Sequence, residues 1–191
     1  MKRWLIFAAL CGCGGGSGTP GMGGAGASGA GTVMGEGPCN ARSIAMPIEG
    51  ANHVAVGTVV SYQSNPPSSG NHFPYWGLWG AHDPPLERGY YVHNLEHGGV
   101  VLLYKCDGAT CPDQAALKAL LDGRPQDPLC APPVRSRMIL TADASLPTAV
   151  AATAWGHIYL ADCVDAATLS AFVDAHYGMG TEAVCAEGQV P

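Results

Sequence analysis

Between Asn65 and Tyr104 the chain reads NPPSSGNHFPYWGLWGAHDPPLERGYYVHNLEHGGVVLLY. This stretch carries four of the seven histidines (His72, His82, His93 and His97) and seven of the fourteen aromatic residues. Its densest part, His93-Asn94-Leu95-Glu96-His97, leads through Gly98-Gly99 into the apolar run Val100–Tyr104. Neutral imidazole is a ligand for zinc and copper(II), and a carboxylate completes such a shell or moves a proton beside it. The chemistry of this chain is therefore expected here.

The spacing allows two geometries. On a helix, H-x-x-E-H places two histidines one turn apart, with the glutamate as base for a metal-bound water. Pro84-Pro85 upstream, and Gly98-Gly99 with two valines downstream, argue against a long helix at this point. On a strand, His93 and His97 share a face but stand about 13 Å apart, at about 3.3 Å per residue, too far to hold one ion. A shared metal then requires a bend, which Asn94 and Gly98 would permit. With such a bend, the expected ligands are His72, His93 and His97, with Glu96, His82, water or Met179 in the fourth position. The expected cofactor is zinc or copper. Two other readings stay open: a metal-assisted hydrolase or oxidase at the same residues, and a structural or interaction module whose histidines only bond loop carbonyls.

These residues need a scaffold, which the first fifty positions do not provide. Lys2-Arg3 followed by the apolar Trp4–Leu10 reads as a secretory signal over residues 1–12, too short to span a bilayer. Leu10-Cys11-Gly12-Cys13 resembles a bacterial lipobox, with Cys13 as the lipidated residue. Residues 13–38, rich in glycine and nearly uncharged, read as a flexible tether, and 39–191 as one globular domain. The expected setting is the bacterial cell envelope, held by a lipid to the outer membrane or to the periplasmic face of the inner membrane. Removing the signal leaves seven basic against fifteen acidic residues, about −8. With no basic patch, nucleic acid is excluded as a partner. The one expected partner is the membrane, through the N-terminal lipid.

Six cysteines remain after Cys11 and Cys13: Cys39, Cys106, Cys111, Cys130, Cys163 and Cys185. An even number in an exported domain reads as up to three disulfides. Cys106 and Cys111, bracketing the turn-like Asp-Gly-Ala-Thr, are the expected pair, and the other pairings stay open.

Residues 51–63 are β-prone, and 64–87, punctuated by five prolines, form a long loop pinned by its aromatics. Tyr90–Tyr104 reads as extended, Pro112–Asp122 as a helix, Val134–Ala142 and Thr153–Leu160 as strands, and Asp165–Tyr177 as a second helix. His176 falls on the apolar stripe of that helix and is expected to pack rather than ligate. The fold class is therefore α+β: strand-helix-strand-strand-helix, an antiparallel-containing sheet with two helices on one face, plus the long Pro/Gly/aromatic loop.

NPPSSGNH, then WG, then VHNLEHGGVVLLY, then AWG together resemble an uncharacterised family called domain of unknown function 3105. That family occurs mostly in exported or membrane-tethered bacterial proteins. The resemblance covers about residues 50–178. It implies a shared fold and a shared site at His72, His93, Glu96 and His97, with no established activity. His157 lies outside that common pattern.

Overall fold

The computed structural model describes residues 38–190. The expected signal, the lipidated Cys13 and the tether to residue 37 lie outside the described residues. The core of the fold is a six-stranded mixed sheet in the order β1-β6-β5-β3-β4-β2. The strands are β1 (Arg42–Ala45), β2 (Gly80–Ala81), β3 (Val100–Tyr104), β4 (Met138–Ala142), β5 (Val150–Ala154) and β6 (His157–Ala161). Three helices complete the α+β architecture: α1 (Arg88–Glu96), α2 (Gln114–Gly123) and α3 (Ala166–His176). The β1–β6, β6–β5 and β5–β3 pairs are antiparallel, whereas β3–β4 and β4–β2 are parallel. Among the described residues no helix is long and apolar enough to cross a membrane.

The run Val100–Leu103 is apolar without alternation because both faces of the sheet are covered. Val100 and Leu102 pack with Met138, Leu140 and Ala152 beneath Leu117 and Leu121 of α2 and Leu169, Phe172 and Val173 of α3. Val101 and Leu103 point the other way, packing with Ile139, Ala151 and Ile158 against Tyr91, Val92 and Leu95 of α1. The two helices read from the sequence share one face as expected. Each begins with an aspartate whose side chain accepts a backbone N–H: Asp113 from Ala116 and Asp165 from Thr168, at 2.9 and 2.8 Å.

Four local expectations are corrected. Residues 90–96 are helical, not extended. Thr153–Leu160 is not one strand but the hairpin of β5 and β6, turned at Trp155-Gly156, where Gly156 has φ +72°. The 134–142 strand begins only at Met138. Residues 51–63 form no strand; apart from the single bridge His53–His72 they are irregular. The short edge strands β1 and β2 lack any periodic signal of their own.

Disulfides join Cys39–Cys163, Cys106–Cys111 and Cys130–Cys185. The first and third close long loops, over 124 and 55 residues, where the chain-entropy argument gives about 4–5 kcal/mol each.

Helix α1 is short and buried on nearly all sides: Gly89 and every residue from Tyr91 to Glu96 are inside. It has no polar face, so no helical period shows in its sequence. The glycines that argued against a helix are what stops it. Gly98 takes φ +78°, its N–H donates to Leu95 O (2.9 Å), and Gly99 N–H donates to Asn94 O (2.9 Å). That is the paired 5→2 and 6→1 bonding of a glycine-capped helix end. A Cβ at Gly98 would stand 2.7 Å from Arg137 Nη1 and 3.0 Å from the Gly178 backbone. Gly98→Ala should therefore cost about 2 kcal/mol, read as a lower urea midpoint at unchanged slope.

Candidate functional site

The end of α1 and the proline-rich loop converge on one spot. The loop is fixed first. Thr153 Oγ1 donates to Pro67 O (2.8 Å) and Gly156 N–H to Ser68 O (2.9 Å), tying the NPPSSG turn to the β5–β6 hairpin. Gly70, at φ +112°, presents its carbonyl to His72 Nδ1 at 2.8 Å. Further along, Phe73 N–H donates to Gly89 O (3.0 Å), and the Asn94 side chain brackets Gly77, accepting from its N–H and donating to its C=O, both at 2.9 Å. The loop is thus tied to α1 at Phe73 and at Gly77.

His72 is wholly buried and His93 nearly so. His93 Nδ1 lies 2.7 Å from Phe73 O. A carbonyl can only accept, so both rings carry their proton on Nδ1, and each Nε2 is left as a lone pair. The His72 lone pair stands 3.1 Å from Glu96 Oε2 yet has no hydrogen-bond partner. With the His72 proton on Nδ1 and Glu96 ionised, two acceptors face each other there. Donor atoms of His53, His72, His93 and Glu96 all lie within 4.8 Å of one another. The His53, His72 and His93 ring centroids are 4.8–5.0 Å apart.

His53 was not singled out by sequence reasoning. It is exposed and lies on a segment without periodicity. The bridge that brings it in, Val54 N–H to His72 O (2.8 Å) and His72 N–H to Asn52 O (3.1 Å), leaves no mark in the sequence.

His97 belongs to the neighbourhood but not to that donor group. Its ring is 4.7 Å from His93 and 4.6 Å from Trp76, and its Nε2 lies 3.1 Å from Glu182 Oε2. The helix explains the difference. His93 and Glu96, one turn apart, face the loop, whereas His97 has passed into the cap and turns toward the segment after α3. The predicted bend is therefore a helix end. His82 is bonded to Leu78 O (2.7 Å), and Met179 is exposed on that last segment. His176 stacks on His157, with centroids 4.0 Å apart, and packs against Phe172.

The segment after α3 closes the site. Gly178 N–H donates to Gly98 O (2.8 Å), Glu182 N–H to Glu96 O (2.9 Å), and Arg137 Nη1 to His97 O (2.7 Å). These bonds meet the carbonyls that a helix end leaves free. Cys130–Cys185 fastens the segment beyond this point.

Burial pushes the imidazoles of His72, His93 and His97 down, the latter two to about 4. Burial and the nearby Glu182 carboxylate push Glu96 up. Glu96 also ends α1, where the helix dipole is negative and a cation is favoured over an anion. At neutral pH the histidines are unprotonated and free to ligate. For the metal-free protein the sign follows directly. Folded values near 4 lie below the ordinary 6.5, so the unfolded chain takes up protons first as pH falls. Stability should fall between pH 6.5 and 4, with urea midpoints dropping across pH 7, 5.5 and 4.5.

Fold and site together define a disulfide-braced α+β domain with a partly buried histidine–carboxylate cluster at a helix end. A family model described as "Protein of unknown function (DUF3105)" matches residues 53–187, and the chain belongs to that family. No curated protein and no solved structure matches the chain.

Proposed function

We propose that this protein is a metal-binding module of the bacterial cell envelope, held to a membrane by a lipid on Cys13. The ion is divalent zinc or copper, and the ligands are His53, His72, His93 and Glu96. One observation carries the reading: the buried Nε2 of His72, without a hydrogen-bond partner, confronts Glu96 Oε2 at 3.1 Å. A buried acceptor left unmet costs about 1–3 kcal/mol, and a cation between the two removes that cost. The outer shell supports the same reading. Metal-bound imidazoles are commonly oriented by an N–H bond to a carbonyl, as His72 and His93 are by Gly70 and Phe73. A tetrahedral shell at about 2.0–2.1 Å sets its donors about 3.4 Å apart, so the present group needs to contract by about an ångström. Exposed His53 is the ligand free to make that movement. Three disulfides support export to an oxidising compartment.

The test is thermal. Zinc at 100 times its Kd should add about 2.7 kcal/mol, raising Tm by about 5–10 °C in a domain of this size. An unchanged Tm with zinc and with copper(II) would favour the purely structural reading. A second reading, metal-assisted hydrolysis, draws on the exposure of His53, since a ligand at the surface can yield its place to water.

A further inference from the structure

Helices α2 and α3, which cover the sheet face opposite α1, leave a cavity of about 710 Å³ between themselves and the loop 124–129. Leu120 of α2, Val173 of α3, Met138 at the start of β4 and Leu129 on the loop give it an apolar lining. Its volume lies within the range of pockets that enclose small organic ligands.

Two guanidinium groups border the same cavity. Both lie over the Tyr177 ring, Arg124 at 4.4 Å and Arg137 at 5.2 Å from its centroid. Neither uses all its donors within the protein. Arg124 meets Asp174 through Nη1, and among the described residues its Nε and Nη2 have no acceptor. Arg137 is 4% exposed; its Nε donates to Asp127 Oδ2 (2.9 Å) and its Nη1 to His97 O (2.7 Å). Among the described residues its Nη2 has no acceptor either. Guanidinium N–H groups lie in one plane whose fork matches a carboxylate.

The charges around the cavity decide which anion would suit it. Asp127 and Asp174 already balance the two arginines. Asp127 is also saturated, accepting from Tyr177 O–H and Leu129 N–H as well as from Arg137. The cavity therefore offers spare donors without excess positive charge. A doubly charged anion would meet the repulsion of two carboxylates, and a singly charged one meets least of it.

We propose that this cavity binds a small monocarboxylate with an apolar body, its head on Arg124 and Arg137 and its body against Leu120, Leu129 and Val173. This goes beyond the metal-binding reading and stands without it.

Calorimetric titration of the full-length protein with decanoate, paired with melting curves, tests the proposal, with decanol as the uncharged probe. One saturable decanoate site per chain and a rise in Tm are expected, with decanol at least about tenfold weaker. A hydrogen bond to a charged group contributes about 1.5–3 kcal/mol, so Arg124→Met should weaken decanoate at least about tenfold. Ser170→Trp, which fills the cavity from α3, should abolish binding. Neither saturable heat nor a Tm rise with decanoate would overturn the proposal. So would equal binding of decanol, or undiminished decanoate binding in either variant.

Discussion

His72→Ala should abolish the zinc-induced rise in Tm and weaken zinc binding at least about 100-fold. Loss of a group in the outer shell of a metal site commonly costs 10–100-fold in affinity, and a direct ligand should cost more. The substitution also destabilises the metal-free fold, because it empties a fully buried position and leaves Gly70 O without its donor. The decisive quantity is therefore the difference in Tm with and without zinc within each variant, from which that penalty cancels. His93→Ala should behave alike. His53→Ala, at an exposed position, should lose less, about tenfold. His82→Ala should keep the full shift, since its ring is spent on Leu78 O. A full shift in His72→Ala would remove the ion from the loop.

The second large effect lies under the helix end. Arg137 and Asp127 are both buried, joined Nε to Oδ2 at 2.9 Å. Tyr177 completes the group, its hydroxyl donating to Asp127 (2.6 Å) and accepting from Arg137 N–H (2.8 Å). Burial pulls the Asp127 pKa up, but bonds from Tyr177, Leu129 N–H and Arg137 hold it below the usual carboxylate range. Arg137→Met strands that charge in the interior. Breaking a buried pair costs about 3–5 kcal/mol, so Tm should fall by about 8–15 °C. Asp127→Leu combined with Arg137→Met should recover much of the loss, because the remaining partner is then no longer charged. Arg137 also holds His97 O, so the single variant should loosen the end of α1 and weaken zinc binding as well. If Arg137→Met melted within about 2 °C of the native protein, the pair would have no such structural weight.

How much of this could be read from the chain follows from where each signal resides. Helices α2 and α3 each show an apolar stripe and a capping aspartate, so Leu117, Leu121, Leu169 and Phe172 announce them. Helix α1 does not, because a helix enclosed by sheet, loop and last segment needs no polar face. Its stop, Gly98-Gly99, is written in the sequence but reads equally as a barrier to helix. The same residues could therefore suggest an extended chain with a bend where the protein has a helix with a capped end. Residue types located His72, His93, Glu96 and His97 in one region. They could not separate His97 from the others, since that depends on where the helix ends. His53 depends on a single bridge to His72, a tertiary pairing with no local pattern. A different cue existed: His53 is the one histidine just upstream of the proline-rich turn, on a segment whose β-prone run is broken by Gly57.

The central claim concerns one atom position, and anomalous diffraction at the zinc edge from crystals of the zinc-loaded protein tests it most directly. The expected result is a strong peak about 2.0–2.2 Å from Nε2 of both His72 and His93, with Glu96 in the same shell. Peaks confined to surface residues, with His72 Nε2 still facing Glu96 across an unfilled gap, would contradict it.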